Sequence, residues 1–426
     1  MRTTRSAIAA DAERAAGAGS APVVDAGPSA SATPSPSPLP RVAPIPPGAT
    51  VGILGGGQLG RMLGFAARAM GYRIAVLDPD PDCPAAAIAD RVVLAAYDSV
   101  EGAVALARGA AVVTYELEHV GATLVDAVEA AGVPVRPGAG ALRTTQDRLA
   151  ERRFVASLGI ATAPWREVRD EAGLRAAARE LGFPLRLKAP FGGYDGRSQL
   201  RIGELVELTG ALERLGRPPG TPLLAERELD FAAELSAITA RALDGTVASY
   251  PAARNRHDAG ILVESVAPAL VDPAVAAAAQ ALGARIAELL GAVGVVTAEL
   301  FLLRDGTLAV NELAPRVHNS GHWTIEGART SQFEQHVRAI CGLSLGDPAA
   351  FGPTAMVNLL GTGEPRDAHL AGIAEALADP LAHLHVYDKR TVFERRKMGH
   401  LTVAGAPTPD KALGRARAAV AKLRWS

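Results

Sequence analysis

The run TAELFLLRDGTLAVNELAPR, residues 297–316, admits few folds. Asp305-Gly306 between two apolar, strand-forming stretches is a hairpin signal for a two-residue turn. Such a turn predicts strands over 294–303 and 307–312 and pairs Arg304 with Thr307, Leu303 with Leu308, Phe301 with Val310 and Glu299 with Glu312. Side chains alternate between faces along a strand, so the two glutamates meet at the edge of an apolar patch, with Cβ atoms about 4.5–5.5 Å apart. Like charges that close repel, and more strongly where water is scarce. A hard divalent cation resolves the conflict. Magnesium needs only one or two carboxylates when substrate phosphates complete its shell. The competing readings are a slipped register and neutralisation of the pair by Arg316.

A hairpin of this kind needs a sheet to join, and the rest of the chain supplies candidates. From ATVGIL onward strands and helices alternate: strand 50–54, helix 58–70, strand 73–77, strand 111–116, helix 121–131 and a short strand at 133–135. That alternation predicts a doubly wound parallel sheet to about residue 145. A helix over 146–158 leads to an α+β region: helix 170–181, strands 185–188, 199–202, 222–227, 234–241 and 247–250, and helix 274–290. Beyond the hairpin, a helix near 330–341 and a smaller module after about 350, ending in a helix at 408–423, complete the chain. The expected division is a tail at 1–48, an α/β domain at 49–145, a two-lobed region at 146–349 and a small domain at 350–426. The tail, rich in Ala, Pro and Ser, has no sustained apolar period and reads as disordered.

Composition narrows the function. Of 426 residues 48% are apolar, enough for several cores, and the net charge is −1. Such a balance gives no global attraction to nucleic acid or to an anionic membrane, so any anion site must be local. No stretch qualifies as a membrane span: the most apolar, 273–303, carries Arg285, Glu288 and Glu299. The N-terminus lacks a secretory apolar run, and two distant cysteines, Cys83 and Cys341, read as buried thiols of a reducing compartment. A cytoplasmic protein is expected.

Two glycine-rich segments look suited to phosphates. In ILGGGQLGRM, Gly55, Gly57 and Gly60 follow a strand and open a helix, where bare backbone N–H groups and the helix dipole favour an anion. Asp78 ends the next strand, as a ribose-binding acid does in dinucleotide folds. That spacing alone serves a dehydrogenase as well as any phosphate binder, or only a tight turn. In PLRLKAPFGGYDGRSQLRI, Lys188 ends a strand before a loop with Gly192, Gly193 and Gly196, while Asp195 and Arg197 can address a polar substrate and an anion. Glu226, Glu228 and Glu234, taken alone, read as a solvated face.

Together GGYDGRSQ, VNELAPRVHNSGHWT, KMGHLTV, ILGGGQLGRM and TQDRLAERRF resemble the 5-(carboxyamino)imidazole ribonucleotide synthases, ATP-grasp enzymes of purine biosynthesis, over about residues 49–424. The resemblance implies a pre-ATP-grasp α/β domain, an ATP-grasp domain of two α+β lobes and a small C-terminal module. It implies ATP with magnesium (or manganese), bicarbonate and aminoimidazole ribonucleotide as small-molecule substrates, and a homodimer. Arg148, Lys188 and the loop Gly193, Tyr194, Asp195, Gly196, Arg197, Ser198 and Gln199 would contact ATP. Glu226, Arg227, Glu228 and Leu229 would line its adenine, and Glu234 its ribose; His257 would lie nearby. Glu299 and Glu312 would hold the metal, with Asn311 beside them. Tyr194, Asp195, Arg197, His318 and Asn319 would handle the imidazole, and Gly57, Gln58, Leu59, Lys389, Arg396 and Lys397 its monophosphate.

The sequence departs from the family where phosphates are handled. Arg152 replaces a usual lysine, Ala189-Pro190-Phe191 opens the loop where an arginine is usual, Ser198 replaces its last glycine, and Phe393-Glu394-Arg395 replaces Arg-Pro-Gly. Three rivals remain: a formate-using ATP-grasp transformylase, an NAD-dependent oxidoreductase resting on the first glycine turn, and a nucleotide-binding relative without turnover.

Overall fold

The computed structural model describes residues 43–192 and 198–426. The first 42 residues and the loop residues Gly193, Tyr194, Asp195, Gly196 and Arg197 lie outside the described residues, and so do the expectations placed on them.

The N-terminal sheet is parallel, with β1 (Thr50–Leu54), β2 (Arg73–Asp78), β3 (Arg91–Leu94) and β4 (Ala110–Tyr115) in the order β3-β2-β1-β4. Helices α1 (Gln58–Ala69), α2 (Val100–Ala107) and α3 (Ala122–Ala130) complete the βα alternation. β1 and β2 are buried along almost their whole length, as strands covered on both faces must be. The expected strand at 133–135 reduces to one bridge, Val113 to Val135, because Pro134 has no N–H to extend a ladder. β3 and α2 were not expected. β3 is only half-buried and α2 is a run of small apolar residues, so neither shows a clear period.

The predicted helix over 146–158 begins at Arg148. A separate helix, α4 (Ala139–Gln146), precedes α5 (Arg148–Ser157), and the break falls at Asp147. Asp147 is extended and its carboxylate accepts from the N–H of Leu149 at 2.8 Å, an N-cap that starts α5 afresh.

The first lobe that follows is an antiparallel sheet of β5 (Trp165–Val168), β6 (Leu185–Lys188), β7 (Gln199–Ile202) and β8 (Leu223–Arg227), ordered β5-β8-β6-β7. A helix, Glu171–Leu181, buries Leu174, Ala177, Ala178 and Leu181 in the core of this lobe.

The second lobe is built on a larger antiparallel sheet. β9 (Phe231–Arg241) carries the short β10 (Val247–Ser249) and lies between β11 (Ala253–Asp258) and β13 (Gly294–Leu303). β12 (Ile261–Ala267) extends one side and β14 (Leu308–Ala314) closes the other. β11 and β12 were not expected: Arg254, Arg256 and His257 hide the apolar alternation, and the turn between them uses Ala259 and Gly260 at positive φ. The sheet continues from β12 into β15 (Thr354–Leu360), then strands Lys397–Val403 and Ala382–Val386. The C-terminal segment therefore lengthens the second lobe's sheet, and its helix Pro409–Val420 packs Ala412, Ala416 and Ala419 over it.

Candidate active site

The hairpin of β13 and β14 brings Glu299 opposite Glu312, as its sequence predicts, but by a different route. The turn has three residues: Leu303 N–H donates to Thr307 O at 2.8 Å, and Gly306 takes φ +88°. That shifts the pairs to Leu302–Leu308, Phe301–Ala309 and Leu300–Val310. A bulge at Asn311 then restores the register, so that Glu299 meets Glu312. Without it Asn311 would sit opposite Glu299, and Glu312 would turn to the apolar face with Leu300 and Val310.

Glu299 is buried and its Oε1 has no hydrogen-bond partner. Burial pushes its carboxyl up to about 7; Glu312 and Glu234 add to the rise while His257 opposes it. His257 Nδ1 lies 3.0 Å from Glu234 Oε2, and its Nε2 is 4.0 Å from Glu299 Oε1. Burial disfavours the imidazolium of His257, but Glu234 and Glu299 outweigh it and raise its pKa. His318 approaches Glu299 Oε1 at 3.7 Å through Nε2, with Nδ1 held by Ser320. Burial first, then Arg316, Lys397 and His257, keep His318 neutral. Arg316 does not bridge the acid pair; it is ion-paired with Glu118 at 2.7 Å. Among the described residues no three or more His, Cys, Asp and Glu form a complete metal cage. A buried, unpartnered carboxylate oxygen beside a second carboxylate fits a cation whose remaining ligands come from phosphates.

Facing this pair across the cleft is the first lobe. Lys188 Nζ contacts Glu226 Oε2 at 2.6 Å, and Arg152 Nε contacts Glu226 Oε1 at 2.5 Å. Burial works against the charged form of Glu226, but Arg152 and Lys188 prevail and hold its carboxyl down to about 2. Glu226 therefore anchors Lys188, one oxygen on Lys188 and the other on Arg152. Glu228 is likewise held by Arg186 and Arg201. Phe231 and Phe301 stack at 4.4 Å on the cavity wall, a flat apolar element that neither strand's pattern had singled out.

One cavity of about 1410 Å³ joins these groups. It is lined by Arg148, Lys188, Gln199, Glu226, Arg227, Glu228, Leu229, Glu234, His257, Glu299, Asn311, Glu312, His318 and Asn319, and also by Gln58, Leu59, Lys389, Arg396 and Lys397. Asn319 pairs its amide with that of Asn358, at 2.7 and 3.1 Å. Lys389 Nζ donates to Lys397 O at 2.7 Å, and Arg396 lies over the Phe393 ring. Ser198 flanks the undescribed loop at φ +57° and is braced by Arg217. Arg395 takes φ +64° and pairs with Asp258. Both hold the left-handed backbone that glycine adopts most readily.

The first glycine turn departs from its expected use. The N–H groups of Gly57 and Gly60 donate to Glu116 at 2.5 and 2.6 Å, and that of Gly56 to Asp78 at 2.8 Å. An internal carboxylate thus fills the anion position at the start of α1, so Gly57 has no N–H to offer a phosphate, and Asp78, buried and also bonded by Tyr97, cannot take a ribose. A dinucleotide-binding reading fails here. Glu116, Tyr97 and Glu118 line the cavity and were missed. Glu116 and Glu118, in TYELEH after β4, were the available signal.

Two facing antiparallel lobes, a lysine on one and an acid pair on the other, and a preceding parallel-sheet domain define an ATP-grasp enzyme. Three family descriptions match in series: "Ribonucleotide synthetase preATP-grasp domain" over residues 48–146, "ATP-grasp domain" over 153–333 and "Phosphoribosylaminoimidazole carboxylase C-terminal domain" over 354–412. N5-carboxyaminoimidazole ribonucleotide synthase of Brucella melitensis is 42% identical, over 84% of this chain and 96% of its own. The crystal structure of the synthetase from Thermus thermophilus aligns with TM-score 0.78 and 40% identity, over 88% of this chain and 100% of its own. That of the Aspergillus clavatus synthase, in complex with ADP and 5-aminoimidazole ribonucleotide, aligns with TM-score 0.79 and 34% identity, over 88% and 98%. The chain belongs to the N5-carboxyaminoimidazole ribonucleotide synthase family of ATP-grasp ligases.

Proposed function

We propose that this protein uses ATP and bicarbonate to carboxylate the exocyclic amine of 5-aminoimidazole ribonucleotide, giving N5-carboxyaminoimidazole ribonucleotide, ADP and phosphate in purine synthesis. A bicarbonate oxygen attacks the γ-phosphorus and ADP leaves. The carboxyphosphate so formed releases carbon dioxide and phosphate. The amine adds to carbon dioxide and gives up a proton, leaving the N-carboxylate.

Phosphoryl transfer of this kind depends on positioning and on neutralising charge. Lys188, oriented by Glu226 on the first lobe, and Arg148, at the start of α5, meet the triphosphate. Magnesium, which Glu299 and Glu312 would hold, supplies further charge neutralisation on the phosphates when bound. Glu234 takes the ribose, and Phe231 and Phe301 provide an apolar wall. Neutral His318, with its proton on Nε2, offers a donor to bicarbonate or to the developing carboxylate. Lys389, Arg396 and Lys397 meet the monophosphate of the imidazole substrate, with Gln58 and Leu59 beside it. By likeness to the family, Asp195, with Tyr194 and Arg197, would receive the amine proton. The active form is a cytoplasmic homodimer.

The observation that carries this reading is the single cavity joining the Glu299–Glu312 pair, Lys188 and the basic group Lys389, Arg396 and Lys397. Purified protein is expected to release ADP only when the aminoimidazole ribonucleotide and bicarbonate are both present. ADP release at one rate with or without the imidazole contradicts it.

A further inference from the structure

The bulge at Asn311 is what keeps Glu312 on the cavity face, and two side chains outside the hairpin hold it. β14 is the edge strand of its sheet, so its outer backbone groups need partners from elsewhere. Val310 N–H donates to Ala161 O at 2.8 Å. Arg152 Nη2 donates to the carbonyl of Asn311 itself at 2.6 Å. Glu151 Oε2 accepts from Leu313 N–H at 2.7 Å. Arg152 and Glu151 thus grip the chain on either side of Glu312, and they are tied to each other at 2.6 Å. Both are almost fully buried. Arg152 also reaches across the cleft to Glu226, which holds Lys188.

We propose that Glu151 and Arg152 are positioning residues for the metal-binding carboxylate Glu312, and that through Glu226 they fix it relative to Lys188. The inference rests on the reading of Glu299 and Glu312 as metal ligands. Arginine suits the full arrangement because its planar fork meets Glu226, Glu151 and the Asn311 carbonyl in three directions, where a lysine would offer one compact ammonium. Partners that orient a metal ligand typically govern metal affinity without touching the metal.

The test uses manganese as a spectroscopic probe, with its binding to the full-length protein in the presence of ADP followed by electron paramagnetic resonance. Arg152→Lys and Glu151→Gln are each expected to weaken manganese binding about tenfold, with a smaller loss of ADP affinity in the absence of metal. Thermal melting of each variant is recorded alongside. Arg152→Lys keeps the buried charge, so it remains informative if Glu151→Gln fails to fold. Unchanged manganese affinity in folded Arg152→Lys overturns the positioning role, and so does an equal loss of metal-free ADP binding. If the wild-type protein binds no manganese with ADP, the metal reading of Glu299 and Glu312 fails instead.

Discussion

At the scale of single residues, the side chains that matter are held by opposite charges or by burial. Glu116 shows how a motif can be read correctly as a local structure and wrongly as a site. GxGxxG predicted a strand, a tight turn and a helix start, and all three are present. What the spacing could not reveal is that the anion comes from 56 residues further along the chain, in the bond to Gly60. Glu116→Ala should leave the N–H groups of Gly57 and Gly60 without their partner and destabilise the protein by about 1–3 kcal/mol, readable as a lower urea midpoint at unchanged slope. No loss of stability would mean that water replaces the carboxylate at no cost. Ser198 and Arg395 make the complementary point. Their positive φ was foreseeable for Ser198 only through likeness to related sequences, since serine itself gives no sign of a left-handed backbone.

At the scale of elements, the hairpin carried the most information and still misled in its details. Asp-Gly fixed the location of the turn and the face of Glu299, but a three-residue turn and a bulge exchange one register error for another and cancel. The bulge depends on Glu151 and Arg152, far away in sequence, and no local pattern announces it. Long apolar or alternating stretches, such as β13 and the helix Pro273–Leu290, were legible because burial imposes their period. β11 was not, because Arg254, Arg256 and His257 interrupt its apolar alternation. If α5 pins the bulge, strain at the turn should not reach the acids. Gly306→Ala places a side chain at φ +88° with no atom within 4 Å of its Cβ, so the cost is conformational, about 1 kcal/mol. A melting temperature lower by a few degrees, with manganese affinity kept, is the expected result. A large loss of metal binding would show that the turn, and not α5, sets the register.

At the scale of the whole molecule, the buried titratable groups set how stability depends on pH. Burial holds His336 down to about 3 and keeps His318, His322 and His400 well below the ordinary histidine value. Their folded pKa values are depressed, so their contribution is complete above about pH 6.5 and is lost as pH falls below it. Glu151 and Glu299, raised to about 7 chiefly by burial, work the other way in metal-free protein. Between about pH 7 and 4.5 the folded state binds protons that the unfolded chain does not, which offsets part of the histidine loss. Below about 4.5 that offset ends, and Glu226, held near 2, begins to add its own loss. Urea midpoints are therefore expected to fall gently from pH 7 to 5 and steeply below 4.5, each group contributing about 1.4 kcal/mol per pH unit. A midpoint that does not change between pH 5 and 4 would contradict the neutral state of the buried histidines.

The domain order followed from strand–helix alternation, but the continuity of one sheet from β14 through β15 into the C-terminal strands did not, since strand pairing between distant segments leaves no mark on either. That sheet places the acid hairpin near one end and the C-terminal basic residues near the other, around one cavity. Anomalous diffraction from crystals grown with manganese and a non-hydrolysable ATP analogue tests the account at its centre. A manganese peak within coordination distance of both Glu299 and Glu312 is predicted, with the analogue's phosphates on the same ion. Nucleotide bound in the cleft with manganese elsewhere, or with the two carboxylates turned apart, would contradict it.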